Sequence, residues 1–363
     1  MNIVLERRLE RARWAVVIVP IASFLLALIF GAVLLLAFGI NPLQAYRVMV
    51  SGSLGDQYAL TETLVKAIPL ILTGLAVAIA FRMLFWNIGA EGQLAMGGIG
   101  ASYVALFLSD SLPDPLTIPV MILMGMLAGA LWALIPALLK AYLEVNEILT
   151  TLMMNYIAIL LVEYLYLGPW RDPEGYGFPG SAPFPQEALL PRLWGRVHLG
   201  IIFAVLAAFI IWLIMNRSQW GYEIRLIGEN PRAAKYAGID AKRNMVLVML
   251  LSGALSGLAG MAEVSGIARR LYQGLTVGYG FTAIIVAWMA NLNPWGVVFV
   301  GAFMGALTVG GDQLQVAMGI PAAVSSVLQG AILFFVLGGW VFINYRIRIL
   351  GSGKQKQAGE VNE

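Results

Sequence analysis

Long apolar runs alternate with short polar breaks along most of the chain. About 20 apolar residues cross a hydrocarbon core of roughly 30 Å. On that measure the pattern predicts about ten crossings: 14–38, 67–85, 88–108, 116–140, 147–167, 199–215, 244–263, a short one at 280–292, 296–312 and 321–343. Residues 41–66 read as a mixed amphipathic segment. A proline-rich polar loop covers 168–198, and a charged loop runs from Asn216 to Arg243. The expected architecture is all-α: a polytopic transmembrane helical bundle over 1–343 with interrupted helices, followed by a polar tail, 344–363, expected to be disordered.

One stretch breaks the pattern. Residues 85–101 hold five glycines and a polar trio, Asn87, Glu91 and Gln93, between two apolar runs. Backbone freed from a helix at membrane depth must be shielded by protein or line a wet cavity. One reading is a broken helix facing a substrate path. The other is a helix start with Asn87 as N-cap, where Gly92, Gly97 and Ala101 allow close helix contact. Residues 278–296 echo this order, with a short apolar run, Asn291, Asn293 and Pro294, then a small-residue helix. Paired interrupted segments in two halves point to a binding path.

Composition confirms the lipid reading. The 363 residues are 60% hydrophobic and 12% charged, about half the charge of a soluble domain, with mean hydropathy +0.82. The net charge of +3 comes with no basic stripe for nucleic acid. With no cysteine and one histidine, His198, zinc clusters, iron–sulfur sites and thiol chemistry are excluded; no metal and no cofactor is expected. His198 is expected at the membrane interface. Arg7, Arg8, Arg11 and Arg13 precede an apolar run that is longer than a signal peptide's core of about 7–15 residues, so an uncleaved first span is expected. With the N-terminus inside, sixteen of the 23 basic residues fall on inner segments, which orients both termini to the cytoplasm.

Glu91, Glu163, Glu263 and Asp312 all read as lying near span ends, and no charge falls at mid-span. Ion-coupled carriers keep such a charge as a relay, so a neutral solute is expected. The candidate substrate path is Asn87, Glu91, Gln93, Asn155, Phe281, Thr282, Trp288 and Asn291, with Phe281 and Trp288 as stacking surfaces. In the charged loop, Asn230 suits an N-cap, Pro231 the first helical position and Gly238 a left-handed stop. A helix this short is unstable alone and needs a dock. Ala233, Ala234, Tyr236, Ala237 and Ile239 offer contact surface; Arg232 and Lys235 offer charge.

Four strings carry a resemblance: Asn87-Ile-Gly-Ala-Glu-Gly-Gln93; 144–156; 228–239; and 252–260 with Gly278-Tyr-Gly-Phe281. Together they resemble permeases of bacterial ABC importers of the branched-chain amino acid, ribose and nucleoside class, most of all the nucleoside type that works with a lipoprotein binding protein. The resemblance implies a type II importer permease in the bacterial inner membrane. It implies a coupling helix at about 230–238, with Glu229, Asn230, Pro231, Arg232, Ala233, Ala234, Tyr236, Ala237 and Gly238 engaging a cytoplasmic ATPase. It implies a second permease, identical or different, and an extracytoplasmic binding lipoprotein. No Gly-x-x-x-x-Gly-Lys-Ser/Thr string is present, so ATP belongs to another chain and the protein is a transport subunit, not an enzyme. A nucleoside is the expected solute, with a simple sugar as alternative. A membrane-embedded transferase rests only on Glu144 and Glu147, with no second acidic cluster.

Overall fold

The computed structural model describes residues 2–7, 13–275, 277–321, 345–350 and, between 323 and 339, residues 323–324, 326–328, 330–331, 334–335 and 338–339. In chain order the elements are β1 (Asn2–Arg7), α1 (Arg13–Ala37), α2 (Pro42–Leu54), α3 (Gln57–Arg82), α4 (Ala90–Tyr103), α5 (Asp114–Leu143) and α6 (Glu147–Leu167). There follow β2 (Arg192–Trp194), β3 (Val197–His198), α7 (Gly200–Arg217), α8 (Gln219–Glu229), α9 (Pro231–Tyr236), α10 (Ala241–Glu263), α11 (Tyr279–Met289), α12 (Pro294–Met318) and β4 (Tyr345–Leu350).

Seven described helices are long and apolar enough to cross a membrane, or eight if α1 and α2, bent by 116°, count as one span. The expected ten is a little high for two reasons. α11 has 11 residues, about 16 Å at 1.5 Å per residue, which is half a crossing. The expected span 321–343 falls partly outside the described residues. α3 also starts ten residues before the expected 67, so Glu62 and Lys66 lie inside a span.

The chain forms two compact units, 1–48 with 314–363, and 49–313. In the first, β1 pairs antiparallel with β4, Asn2 opposite Leu350 and Arg7 opposite Tyr345; β4 lies within the expected tail. The second unit is built around α3, which is apolar all round and buried on all sides from Ala67 to Phe81, as a central helix must be. α5 and α7 each bury a face rich in small residues and α6 a mixed one, Thr151, Asn155, Ala158, Val162 and Tyr166; they leave Leu123, Leu127 and Leu131, Leu206 and Phe209, and Leu160 exposed. Apolar stripes of this length suit a hydrocarbon surrounding.

Glycines set the packing of α4, α5 and α10. A Cβ on Gly97 would strike the Gly257 backbone, and one on Gly257 the Gly125 carbonyl; Gly129 and Gly253 block each other in the same way, and Gly260 abuts the Leu94 carbonyl. Lipid offers helices no hydrophobic drive to associate, so close backbone approach supplies the attraction. Both α4 and α10 end in a five-residue π-helical turn, Val104–Leu108 and Val264–Ala268. His198 is buried beside Gly266, two residues before α7. Burial, with Arg192 nearby, lowers its imidazole to about 4, so Nδ1 accepts from the Gly200 N–H at 3.2 Å.

Gly257→Ala is expected to destabilise the protein by about 1–3 kcal/mol through overpacking, read as a lower midpoint in thermal unfolding of the detergent-solubilised chain. Leu123→Ala, on the lipid face, should leave that midpoint unchanged.

Candidate functional site

Two of the places where the backbone leaves a helix in the second unit, after α3 and after α11, share one design. At the end of α3 the Phe85 N–H closes on the Ala80 carbonyl at 3.2 Å, and Leu84 is left-handed at φ 58°. At the end of α11 the Leu292 N–H closes on the Ala287 carbonyl at 2.9 Å, with Asn291 and Leu292 left-handed. After each break an asparagine holds the amide two residues on: Asn87 Oδ1 accepts from Gly89 at 2.9 Å, Asn293 Oδ1 from Trp295 at 3.0 Å. Gly89, not Asn87, takes the N-cap position of α4. The breaks also touch. Trp86 and Trp288 lie 5.8 Å apart between ring centroids, with Phe81 at 5.1 and 5.9 Å from them, and Arg82 Nη2 donates to the Leu292 carbonyl at 3.3 Å.

The polar residues at the first break are buried and paired inside the protein. Asn87 Nδ2 donates to Gln93 Oε1 at 3.1 Å and to Ser252 Oγ at 3.0 Å, and Gln93 Nε2 returns a bond to Asn87 Oδ1 at 3.1 Å. Ser252 Oγ donates to the Ala76 carbonyl at 2.7 Å. Ala76 is six residues from the end of α3, about 9 Å into the helix at 1.5 Å per residue. Asn155 reaches across from α6: its Oδ1 accepts from Gly92 and its Nδ2 donates to the Ile88 carbonyl, both at 2.8 Å. Thr151 Oγ1 accepts from the Ile88 N–H at 3.3 Å. The side-chain polar groups of Asn87, Gln93 and Asn155 all find partners here, as burial demands.

Glu91 does a separate job. Its carboxylate accepts from the Gly278 N–H at 2.7 Å and from the Gly280 N–H. It thereby caps the N-terminus of α11, where unpaired amides and the helix dipole favour an anion. Gly280 is required there, because a Cβ would strike the Glu91 backbone.

The eight path candidates therefore separate. Asn87, Glu91, Gln93 and Asn155 are all about 1% exposed or less and are spent on internal bonds. Phe281 (40% exposed), Thr282, Trp288 and Asn291 stand on the open side of α11 and its turn, with Trp86 beside them. Ser252, Thr151, Trp86 and Arg82 were missed as candidates; Ser252 and Thr151 lay inside the quoted strings without a reason to single them out.

At the other candidate site, Asn230 caps α9 by accepting from the Ala233 N–H at 3.0 Å, and Gly238 stops it at φ 76°. Tyr236 is 93% exposed, and Glu229, Asn230, Pro231, Arg232, Ala237 and Gly238 are exposed with it; Ala233 is half-buried. Ala234 is buried and faces the chain's own bundle. A groove of about 890 Å³ flanks the helix, lined by Trp220, Glu223, Asp240 and Arg243 among others. Glu147, one of the two acids that a transferase would need, is paired with Lys140 at 2.8 Å, and Glu144 ends α5 in the left-handed conformation.

A glycine-packed bundle of spanning helices with a half-length helix set against its central helix fits a membrane permease. The family model described as branched-chain amino acid transport system, permease component, matches residues 59–337, and the chain belongs to that family. Over 96% of its length it is 38% identical to a glucose ABC transporter permease protein of Haloferax volcanii, covering 95% of that protein. It is 35% identical to a guanosine ABC transporter permease protein of Bacillus subtilis (94% of this chain, 97% of the relative) and 32% identical to a nucleoside ABC transporter permease protein of Lactococcus lactis (88% and 90%). The protein is a multi-pass permease subunit of an ABC importer, a transport component whose ATPase is a separate subunit and which works with substrate-binding partners.

Glu91→Ala leaves the buried Gly280 N–H and the part-buried Gly278 N–H unpaired, at a cost of about 1–3 kcal/mol for the buried one. The expected result is a lower unfolding midpoint and faster proteolysis of the 269–278 loop, with Glu91→Gln, which keeps one acceptor, falling between.

Proposed function

We propose that the chain forms one half of a nucleoside importer of the cell (inner) membrane, with the solute moving past the open face of α11. The observation that carries this reading is the match along nearly the whole chain to permeases named for guanosine and nucleosides. The aromatic face of Phe281, Trp288 and Trp86 supports it, since rings of this kind stack on a flat base. Asn87, Gln93 and Asn155 act on the path from behind, by fixing the break that positions Trp86, and Glu91 by holding α11. A sugar is the second reading, favoured by the 38% identity to a glucose permease.

The drive enters at α9. Its exposed residues, Tyr236 and Arg232 foremost, seat in a cytoplasmic ATPase, and buried Ala234 ties the helix to its own bundle. A second permease, identical or different, completes the path. An extracytoplasmic binding lipoprotein docks over the opposite face, where exposed Tyr176 and Phe178 rim a groove of about 640 Å³ with Arg270 and Tyr272. The β1–β4 pairing supports both termini on one face, and the bias of basic residues supports that face as the cytoplasmic one.

The test is uptake of labelled guanosine and glucose by vesicles carrying the complete transporter and its binding protein. ATP-dependent guanosine uptake that tenfold excess glucose leaves intact is expected; glucose uptake with guanosine excluded would replace the nucleoside reading with the sugar one. Tyr236→Asp should cut uptake at least tenfold at unchanged thermal stability, and normal uptake in that variant would remove α9 from the coupling role.

A further inference from the structure

Ionisable groups inside a span are expensive, and lipid cannot be their neighbour. The second unit holds a group of them in the half of the bundle opposite α9. Glu62 and Lys66 lie on α3, Glu263 at the end of α10 and Asp312 on α12, all within spans. Arg196, from the loop, closes on Glu62 at 2.7 Å. Lys66 Nζ lies 3.3 Å from Tyr279 Oη and 5.9 Å from that ring's centroid; among the described residues this is its one hydrogen-bond partner. Glu263 is 6% exposed, with Lys66 and Glu62 as its charged neighbours. Among the described residues, no hydrogen bond and no ion pair reaches its carboxylate.

A carboxylate this deep without a partner is a strong acceptor awaiting donors. Beside it stands an ammonium with donors to spare. The two are not closed on each other as an ion pair. Tyr279, which Lys66 meets, is also the first residue of α11, the helix whose open face carries the path aromatics.

We propose that Glu263, Lys66 and Tyr279 form a polar binding site at the outer end of the path for a neutral solute that presents two adjacent N–H or O–H donors beside an acceptor. Glu263 accepts the donor pair, and Lys66 and the Tyr279 hydroxyl donate to the acceptor. A sugar ring's vicinal hydroxyls offer this chemistry, and so does the amide–amine edge of a guanine-type base. The site rests on the importer reading given above but not on the choice between nucleoside and sugar.

The chain contains no cysteine, so single cysteines report cleanly. Glu263→Cys and Lys66→Cys, each in the complete transporter with its binding protein, are treated from outside with a membrane-impermeant thiol reagent; Ala259→Cys, in the buried glycine seam, is the control. Both site positions should label, the control should not, and the transported solute should slow labelling at least fivefold. Protection by guanosine and glucose but not by 2′,3′-dideoxyguanosine assigns the hydroxyl pair; protection by guanosine and dideoxyguanosine but not by inosine assigns the base edge. Lys66→Cys carries the test if Glu263→Cys does not assemble. In parallel, Glu263→Gln should raise the half-saturating concentration for uptake at least tenfold. Absence of labelling at both positions overturns the site, as does labelling that a transported solute leaves unchanged. If the wild type moves neither guanosine nor glucose, the solute assignment of the preceding section fails. The site is then judged on labelling alone, which supports it if the reagent reaches 263 or 66 and overturns it if not.

Discussion

A backbone that stops being helical where it is buried among apolar side chains must find partners for its amides and carbonyls without water. That constraint shapes this protein. The chain breaks after α3 and again after α11, and each break closes with the same turn and is held by an asparagine two residues ahead of a captured amide. Around the first break, Asn87, Gln93, Ser252, Asn155 and Thr151 draw in α10 and α6. Around the second, Glu91 fixes the start of α11 and Arg82 its end. Removing any one of these leaves a polar group stranded in an apolar interior, which costs more than the bond itself is worth.

The glycine seam among α4, α5 and α10 works with these bonds. Carboxamide side chains are short, so Asn87 reaches Ser252, and Asn155 reaches Gly92, only because the helices stand backbone to backbone. Packing this close resists deformation. The open features lie elsewhere: the aromatic side of α11, the charged group around Lys66 and Glu263, and α9. A rigid unit carrying exposed working surfaces suits a protein that rocks against partners instead of deforming within itself.

Much of this was legible in the residues. Ten apolar runs gave the helical class and most helix positions, because a 20-residue apolar run has few alternatives in water or lipid. Asn230, Pro231 and Gly238 fixed α9 to within a residue, because cap chemistry is local. The echo between the two asparagine breaks was visible and has a matching geometry. Depth and direction were not legible. Glu91 and Asn87 read as path residues because a polar side chain between apolar runs announces a purpose but not its partner; Gly89 and Gln93 lie close by, but Ser252, Gly278 and Gly280 lie 165 to 189 positions away. Ala234 read as docking surface, and only the fold shows that it turns inward. Lys66 falls outside the expected span 67–85 because the segment before it reads as amphipathic, whereas α3 runs unbroken from Gln57 and carries Glu62 and Lys66 within it.

The central claim is that this chain guides solute but has no power source of its own. α9 is a short helix that carries its aromatic side chain, Tyr236, 93% exposed. The most direct measurement compares solute concentration inside and outside vesicles at steady state, for the purified chain alone and for the complete transporter supplied with ATP. The account predicts no accumulation above the outside concentration for the chain alone, and accumulation of at least tenfold for the complete, fuelled assembly. Accumulation by the chain alone would contradict it.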